Sequence, residues 1–402
     1  MAKNDLIAGV TVAIVALPLA IGFGVTSGLS ATAGIATAIV AGFLAAVFGG
    51  SRFQVSGPTG AMTVVLIPVI AQQGIEAIPV LGIMAALILF LLALFRVGGL
   101  IKRVPDSVVE GFTVGIALLI GLQQIPYALG VEKADGERTL SVAVNTFNKA
   151  LDEGLHWQTI AVVSLTLLIK FNIVKALEKF HIKPYVPASF SALVITTLTV
   201  IIFGLDVDRI GDIPRNVLHI QAPSISGLEL TQLISPAIAI ALLAAIEALL
   251  AARVADDLAN VPKEKEFQPN RELLGQGIAS VGSAFVGGMP STGAIARTSV
   301  NVRSHAHSRL AAITHALVLL LITLFMAPIF SQIPTAAIAG VLIGTSFRIF
   351  NKATMLEIFT ASKVNIAIFL TTAAVTLSVD LIWGIASGVA LYFLAKLAKI
   401  KV

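Results

Sequence analysis

Two stretches of this sequence interrupt apolar segments with glycine, proline and hydroxyl residues. The first is residues 56–60 (SGPTG), and the second is residues 290–293 (PSTG) within a longer break at 287–298. Irregular backbone persists inside a bilayer only where protein or a watery cavity surrounds it, because unpaired N–H and C=O groups are costly there. A proline in the first turn of a short helix leaves neighbouring N–H groups and hydroxyls free at the positively polarised helix end. Both stretches are therefore predicted to bind an anion.

Two ionisable residues accompany these stretches. Glu247 has no charged residue within five positions on either side, and an acid inside an apolar segment is a functional candidate by default. Its predicted role is proton or cation coupling, and the alternative is a protonated acid that serves only as a packing hydrogen bond. Arg297 would lie two turns into the second short helix, where a guanidinium suits an oxyanion. The alternative for Arg297 is an anchor at the cytoplasmic end of its helix.

The two breaks occupy corresponding places in two halves of the chain. Each alone could be an ordinary loop turn, but a matched pair of interrupted segments is typical of a transporter built on an inverted repeat. Pro18 precedes Pro58 by nearly the spacing that separates Glu247 from Pro290. The predicted repeats are residues 1–204 and 235–402, with 205–234 as an outer connector.

The composition indicates an all-α polytopic membrane protein. The 402 residues are 57% hydrophobic and 12% charged, with a mean hydropathy of +0.95, far from a soluble average. The absence of cysteine excludes disulfides and thiolate metal sites in this sequence. The net charge of +5 is explained by cationic cytoplasmic loops, so no nucleic acid is predicted as a partner. No cofactor or metal is predicted, because the sequence has no His-Glu-x-x-His or Walker motif.

Fourteen membrane segments are predicted from the apolar runs. They are residues 6–27, 31–49, 58–73, 78–95, 107–125, 158–172, 187–204, 235–254, 272–286, 290–302, 309–328, 333–349, 364–379 and 381–398. With both termini cytoplasmic, only five of the 27 Lys and Arg residues fall on the outer side, which agrees with the positive-inside rule.

The third and tenth segments are too short to cross a bilayer alone. Each is predicted to be a half-helix that starts near the midplane after extended chain, at residues 53–56 and 283–286 respectively. Under the charge-derived topology the first half-helix runs outward and the second runs inward, so their N-termini face one cavity.

With these residues, essentially the whole chain resembles the SulP anion permeases, also called solute carrier family 26. The motif carriers are Pro18, the stretch 56–60, Glu247 within 247–256, the stretch 290–293 and Arg297 within 296–298. The resemblance implies seven plus seven inverted segments that form a core domain and a gate domain. It also implies a substrate site lined by Phe23, Thr59, Gly60, Ser291, Thr292, Gly293 and Arg297, with Glu247 as the coupling acid.

The sequence departs from the family pattern at two places. Sodium-coupled bicarbonate members place a hydroxyl one turn after the coupling acid, and this chain has Ala251 there. The family's cytoplasmic STAS domain is also not present in the sequence. Either this sequence is part of a longer chain that carries the domain, or the protein lacks the domain.

The expected function is secondary active transport of a small inorganic oxyanion, sulfate or bicarbonate, by proton-coupled symport with elevator-like alternating access. A dicarboxylate such as fumarate is the alternative substrate, and sodium is the less favoured co-ion. An uncoupled anion channel is the alternative of a different class, and an enzyme is not expected because no nucleophile and base pair stands out. The expected location is the bacterial inner membrane, in contact with lipid, and a homodimer is left open.

Overall fold

The computed structural model describes residues 2–101, 104–136, 138–179, 187–211, 217–350, 352–379 and 381–398. Within these ranges the chain is mostly helical. The helices are α1 (Ala2–Thr26), α2 (Ala31–Phe48), α3 (Gly60–Gln73), α4 (Ala77–Leu94), α5 (Gly98–Ile101), α6 (Asp106–Gln123), α7 (Ile125–Leu129), α8 (Thr139–Glu153), α9 (Trp157–Lys179), α10 (Ala188–Phe203), α11 (Leu230–Leu258), α12 (Pro269–Ala284), α13 (Ile295–Arg303), α14 (Leu310–Phe330), α15 (Thr335–Ile349), α16 (Lys352–Ala361), α17 (Lys363–Ser378) and α18 (Leu381–Leu397). Two strands of two residues each, β1 (Ser56–Gly57) and β2 (Thr292–Gly293), complete the fold.

Each of the fourteen predicted membrane segments overlaps a helix. In the described ranges, seven helical spans are long and apolar enough to cross a membrane, and five further apolar helices are shorter. The all-helical membrane fold is thereby confirmed, and the seven-plus-seven repeat with its boundaries stays a prediction. The helices α5, α8 and α16 lie between the predicted segments, and α7 begins at the last residue of the fifth.

The helices pack as two groups. In the core group α2 packs on α1, α12 and α14, α4 on α11 and α12, and α13 on α11. In the gate group α17 packs on α6 and α18, and α9 on α10 and α15. The two groups meet where α1 contacts α10 and α15, α3 contacts α6, and α11 contacts α18. We name the two groups after the core and gate domains that the family resemblance implies, and the domain division itself stays a prediction.

Close helix crossings bring the core group together. A Cβ on Gly24 would overlap the Ser30 carbonyl, and one on Gly34 would overlap the Ala20 carbonyl. Small residues that permit such approach are the usual helix contacts in membranes, where packing replaces the hydrophobic effect. The crossing of α1 and α2 therefore depends on these two glycines.

The half-helices begin later than predicted. Pro290 does not lie in a first turn, because α13 begins at Ile295 after the strand β2. Residues 283–286 are likewise not extended, since α12 continues to Ala284. Strand pairing holds Thr292 and Gly293 in an extended conformation and so delays the start of α13.

Candidate functional site

The two strands pair with each other at the centre of the core group. They are antiparallel, with Ser56 opposite Gly293 and Gly57 opposite Thr292. One further bond extends the ladder, because the Ala294 N–H donates to the Val55 carbonyl over 3.0 Å. In antiparallel strands the chains leave from opposite ends. The pairing therefore brings the starts of α3 and α13 to the two ends of one short ribbon.

Helix α13 also binds the chain that enters β1. The Val55 N–H donates to Thr298 Oγ1 over 3.0 Å, and Asn301 Nδ2 donates to the Phe53 carbonyl over 2.7 Å. Thr298 and Asn301 are fully buried and about one helical turn apart. These bonds satisfy backbone groups that a membrane interior would otherwise leave unpaired.

The start of α3 faces the acid on α11. Thr59 is the N-cap residue of α3, yet its hydroxyl does not cap the helix. It donates instead to Glu247 Oε2 over 3.1 Å. The first N–H groups of a helix have no partner within that helix. The structure therefore places a carboxyl group, a hydroxyl and a positively polarised helix end side by side.

Arg297 lies beneath the same junction and is 1% exposed. Its Nη2 donates to the Pro58 carbonyl, and a Cβ on Gly57 would come within 2.5 Å of its Nη1. Among the described residues its Nε and Nη1 have no hydrogen-bond partner. Arg297 occupies the first turn of α13 and not the predicted second. An arginine buried among core helices is not a surface anchor, so that alternative is wrong.

The second stretch is enclosed more completely. Ser291 and Thr292 are both 0% exposed. The Thr292 hydroxyl donates to the Ala244 carbonyl over 3.0 Å, whereas the Ser291 hydroxyl has no partner among the described residues. A Cβ on Gly293 would overlap the Gln54 amide and lie 3.1 Å from Ala248 Cα. Strand β2 is thus pressed against α11 within one turn of Glu247.

Phe23 lies beside the start of α3. A Cβ on Gly60 would overlap Ile120 and approach Phe23 Cε1 to 3.2 Å. Ile120 belongs to α6 of the gate group, and sequence reasoning did not identify it. These two side chains cover the N-terminus of α3 at the boundary between the two helix groups.

A cavity of about 640 Å³ opens beyond this cover. Its walls come from the C-terminal part of α3, the N-terminal part of α11, the end of α6, and the chain that follows α7. Thr26 and Val64 are among its lining residues, and each is within about one helical turn of Phe23 or Gly60 along the chain. On the other side of the site Arg253 Nη1 lies 3.6 Å from Asp106 Oδ1, which joins α11 to α6.

Several buried polar residues of the site were missed by sequence reasoning. Gln54, Glu272 and Gln276 form hydrogen bonds behind the strands, and His315 is fully buried with no partner on either ring nitrogen in the described part of the chain. Glu272 could have been found from the sequence. It is an acid at the start of a predicted membrane segment, and like Glu247 it is therefore a functional candidate. Across the described residues, no cluster of three or more His, Asp or Glu could hold a metal ion.

The chain is similar to known anion transporters along most of its length. Residues 2–372 match the model of the sulfate permease family. The Bacillus subtilis protein YvdB, named as a candidate sulfate transporter, is 34% identical over 396 residues, which are 97% of this chain and 73% of that protein. The bicarbonate transporter BicA of Picosynechococcus sp. is 31% identical over 402 residues, which are 96% of this chain and 69% of that protein.

Solved structures show the same fold. The transmembrane domain of a cyanobacterial bicarbonate transporter BicA superposes with a TM-score of 0.83 at 29% identity, covering 96% of this chain and 97% of that one. Murine solute carrier 26 family member A9 in the inward-facing state superposes with a TM-score of 0.83 at 14% sequence identity. The match covers 100% of this chain and 69% of that one. The latter likeness shows the fold alone. The named relatives are transporters and not enzymes, and this chain belongs to the sulfate permease family.

Proposed function

We propose that the protein is a secondary active transporter of a small inorganic oxyanion, of the sulfate or bicarbonate class, coupled to protons. The observation that carries the proposal is the junction at the start of α3, where Thr59 contacts Glu247 and Arg297 contacts the Pro58 carbonyl. The junction combines donors for an anion with one acid that can carry a proton. Relatives named as sulfate and bicarbonate transporters support this substrate class.

In this proposal the anion binds to the two half-helix ends. Free N–H groups at the start of α3 and the Thr59 hydroxyl donate to it, and the Arg297 charge strengthens the field there. Gly60 keeps the backbone accessible, and Phe23 borders the bound anion. Ser291, Thr292 and Gly293 complete the other wall, where the Thr292 hydroxyl already donates to the Ala244 carbonyl.

Proton coupling follows from the position of the Thr59 hydroxyl. In the structure this hydroxyl donates to Glu247, so the acid competes with an anion for the same donor. Protonation of Glu247 removes a negative charge from the site and weakens the hydrogen bond that Glu247 accepts from the Thr59 hydroxyl. Proton binding and anion binding therefore favour each other, and this reciprocity is the requirement for symport.

Alternating access would use the boundary between the two helix groups. The cavity lies on the side of the site that the charge pattern assigns to the outside, and the pair of Arg253 and Asp106 joins the groups on the opposite side. Elevator-like movement of the core group against the gate group would open one side while it closes the other.

The proposed setting is a bacterial inner membrane with both termini cytoplasmic. Large apolar side chains such as Leu94, Phe203 and Phe325 are more than 70% exposed, and lipid would cover them. The proposal includes a homodimer, which a measurement of the oligomeric state would test.

Uptake into proteoliposomes tests the proposal. Labelled sulfate, bicarbonate and fumarate would be supplied under an imposed proton gradient, an imposed sodium gradient, or neither. We expect a proton gradient alone to concentrate sulfate or bicarbonate, and competition by unlabelled anions to identify the class. Strict dependence on sodium would reject proton coupling and give the cation role to a site near Glu247. Flux that never exceeds the imposed anion gradient would indicate a channel.

A further inference from the structure

A buried carboxylate on α12 lies behind the strand pair. Glu272 is 1% exposed and accepts four hydrogen bonds. Its Oε2 accepts from the backbone N–H groups of Gly50 and Ser51 over 2.8 and 2.9 Å. Its Oε1 accepts from the side-chain amides of Gln54 and Gln276 over 2.8 and 2.9 Å. All four partners are N–H donors, so the arrangement suits an ionised carboxylate that donates to none of them.

The two glutamine side chains extend this network to both strands. Gln276 Nε2 also donates to Ser56 Oγ over 2.7 Å, which connects Glu272 to β1. The Gln54 amide lies directly against Gly293, where even a Cβ would overlap it, and so it abuts β2. The Glu272 carboxylate is therefore linked to each strand through one glutamine side chain: Gln276 contacts β1, and Gln54 contacts β2.

The same carboxylate holds the loop between α2 and β1 from one side. From the other side, Arg309 donates to the carbonyls of Gly49, Ser51 and Val47 over 2.6, 3.2 and 3.3 Å. Glu272 therefore binds the N–H groups of this loop and Arg309 binds its carbonyls. A loop held by opposite charges has little freedom to move the strand that follows it.

We propose that Glu272 is a positioning residue for the anion site: through Gln54 and Gln276 it fixes the register of β1 on β2. It thereby fixes the separation of the two half-helix ends. This inference rests on the proposed anion transport. It assigns to Glu272 a role in affinity without contact with the anion, because anion affinity at paired helix ends depends on donor positions set to within a fraction of an ångström.

The test compares two carboxylates of the core group. Glu272→Gln places an amide N–H against N–H donors, and Asp5→Asn does the same to a 2% exposed carboxylate that accepts from His307 and Ser308. Asp5 binds the loop just before α14 and, among the described residues, has no hydrogen bond to either strand, so it is the matched control. We expect Glu272→Gln to raise the KM for labelled anion uptake about tenfold, equivalent to about 1.4 kcal/mol, with little change in maximal rate. Asp5→Asn should leave the KM within about twofold.

A second measurement does not require transport. The chain contains no cysteine, so Val55→Cys with Ala294→Cys can report the strand register by oxidative cross-linking without background. Opposed residues of antiparallel strands have Cα atoms about 4.5–5.5 Å apart, within the range of about 4.4–6.8 Å that a disulfide requires. We expect Glu272→Gln to lower the cross-linking yield and Asp5→Asn to leave it unchanged.

The outcomes separate the two hypotheses. A raised KM together with a lowered yield, for Glu272→Gln alone, supports the positioning role. An unchanged KM and yield, or an equal KM effect of Asp5→Asn, would overturn it. If Glu272→Gln does not fold, Ser56→Ala removes only the acceptor of Gln276, and an unchanged KM there would overturn the role equally. If the parent protein transports none of the anions, the proposed function fails, and the cross-linking yield alone then decides whether Glu272 sets the register.

Discussion

The two half-helix ends share a sequence pattern but lie in different surroundings. The start of α3 faces the gate group, and its Thr59 hydroxyl reaches an acid that can change its charge. The stretch before α13 is enclosed by the core group, and its Thr292 hydroxyl donates to the Ala244 carbonyl, an acceptor that cannot ionise. From this comparison we expect the first end to exchange partners during the proposed transport and the second to hold the geometry of the site.

The exposed fractions agree with this division. Thr59 is 8% exposed and lies one residue from Gly60, which is covered by Phe23 and Ile120. Thr292 is 0% exposed. The first end is bordered by side chains from both helix groups, Phe23 and Ile120, and relative movement of the groups would uncover it. Changes at the first end should alter transport kinetics, and changes at the second should alter stability.

The largest expected effect comes from the acid at the first end. Glu247→Gln resembles the protonated side chain, so it should still bind anion but lose proton-driven accumulation completely. The pH dependence of uptake should disappear as well. Proteoliposome uptake with a proton gradient as the only driving force, compared with anion exchange at equal pH, measures both. Concentrative uptake by this variant would show that the proton is carried elsewhere.

A steric change at Gly60 should have the next largest effect. Gly60→Val would force a side chain into the space of Ile120 and Phe23, and overpacking of this kind costs about 1–3 kcal/mol. We expect the maximal uptake rate to fall by about tenfold or more, with the protein still folded. Combining it with Ile120→Ala should restore part of the rate, because the clash is with that side chain. Without such a rescue, the contact between the helix groups is not what limits transport.

Loss of the buried guanidinium should have an intermediate effect. Arg297→Ala removes the positive charge beneath the α3 junction and leaves the Pro58 carbonyl without its donor, so the KM for anion should rise about tenfold. Arg297→Lys retains the charge without the planar fork and should raise the KM less. Initial uptake rates over a range of anion concentrations give the KM of the parent protein and of each variant. Equal KM values in all three proteins would mean that Arg297 acts only in packing.

Much of this site was predictable because its signals are local. An isolated acid such as Glu247 and a hydroxyl beside glycine such as Thr59 are conspicuous in an apolar chain. The pairing of β1 with β2 was not, because hydrogen bonds between residues more than 230 positions apart leave no local pattern. Pro290 was placed in a helix for that reason. Gln54 was missed likewise, since its carboxylate partner Glu272 is 218 positions away. Gln276 lies one helical turn from Glu272, but its contact with Ser56 of β1 spans 220 positions and leaves no local pattern either.

The smallest expected effect separates the two ends most directly. Thr59→Val and Thr292→Val each replace a hydroxyl with a methyl group of similar size. Thr292→Val removes the bond to the Ala244 carbonyl, and side-chain bonds between membrane helices contribute about 0.6 kcal/mol on average. Its melting temperature in detergent should therefore fall by a few degrees at most, with the KM nearly unchanged. Thr59→Val should show the opposite: a higher KM and a weaker pH dependence of uptake, because the donor shared by Glu247 and the anion is gone. If the two variants shift KM and melting temperature alike, the two ends do not have separate roles, and the anion is bound equally by both.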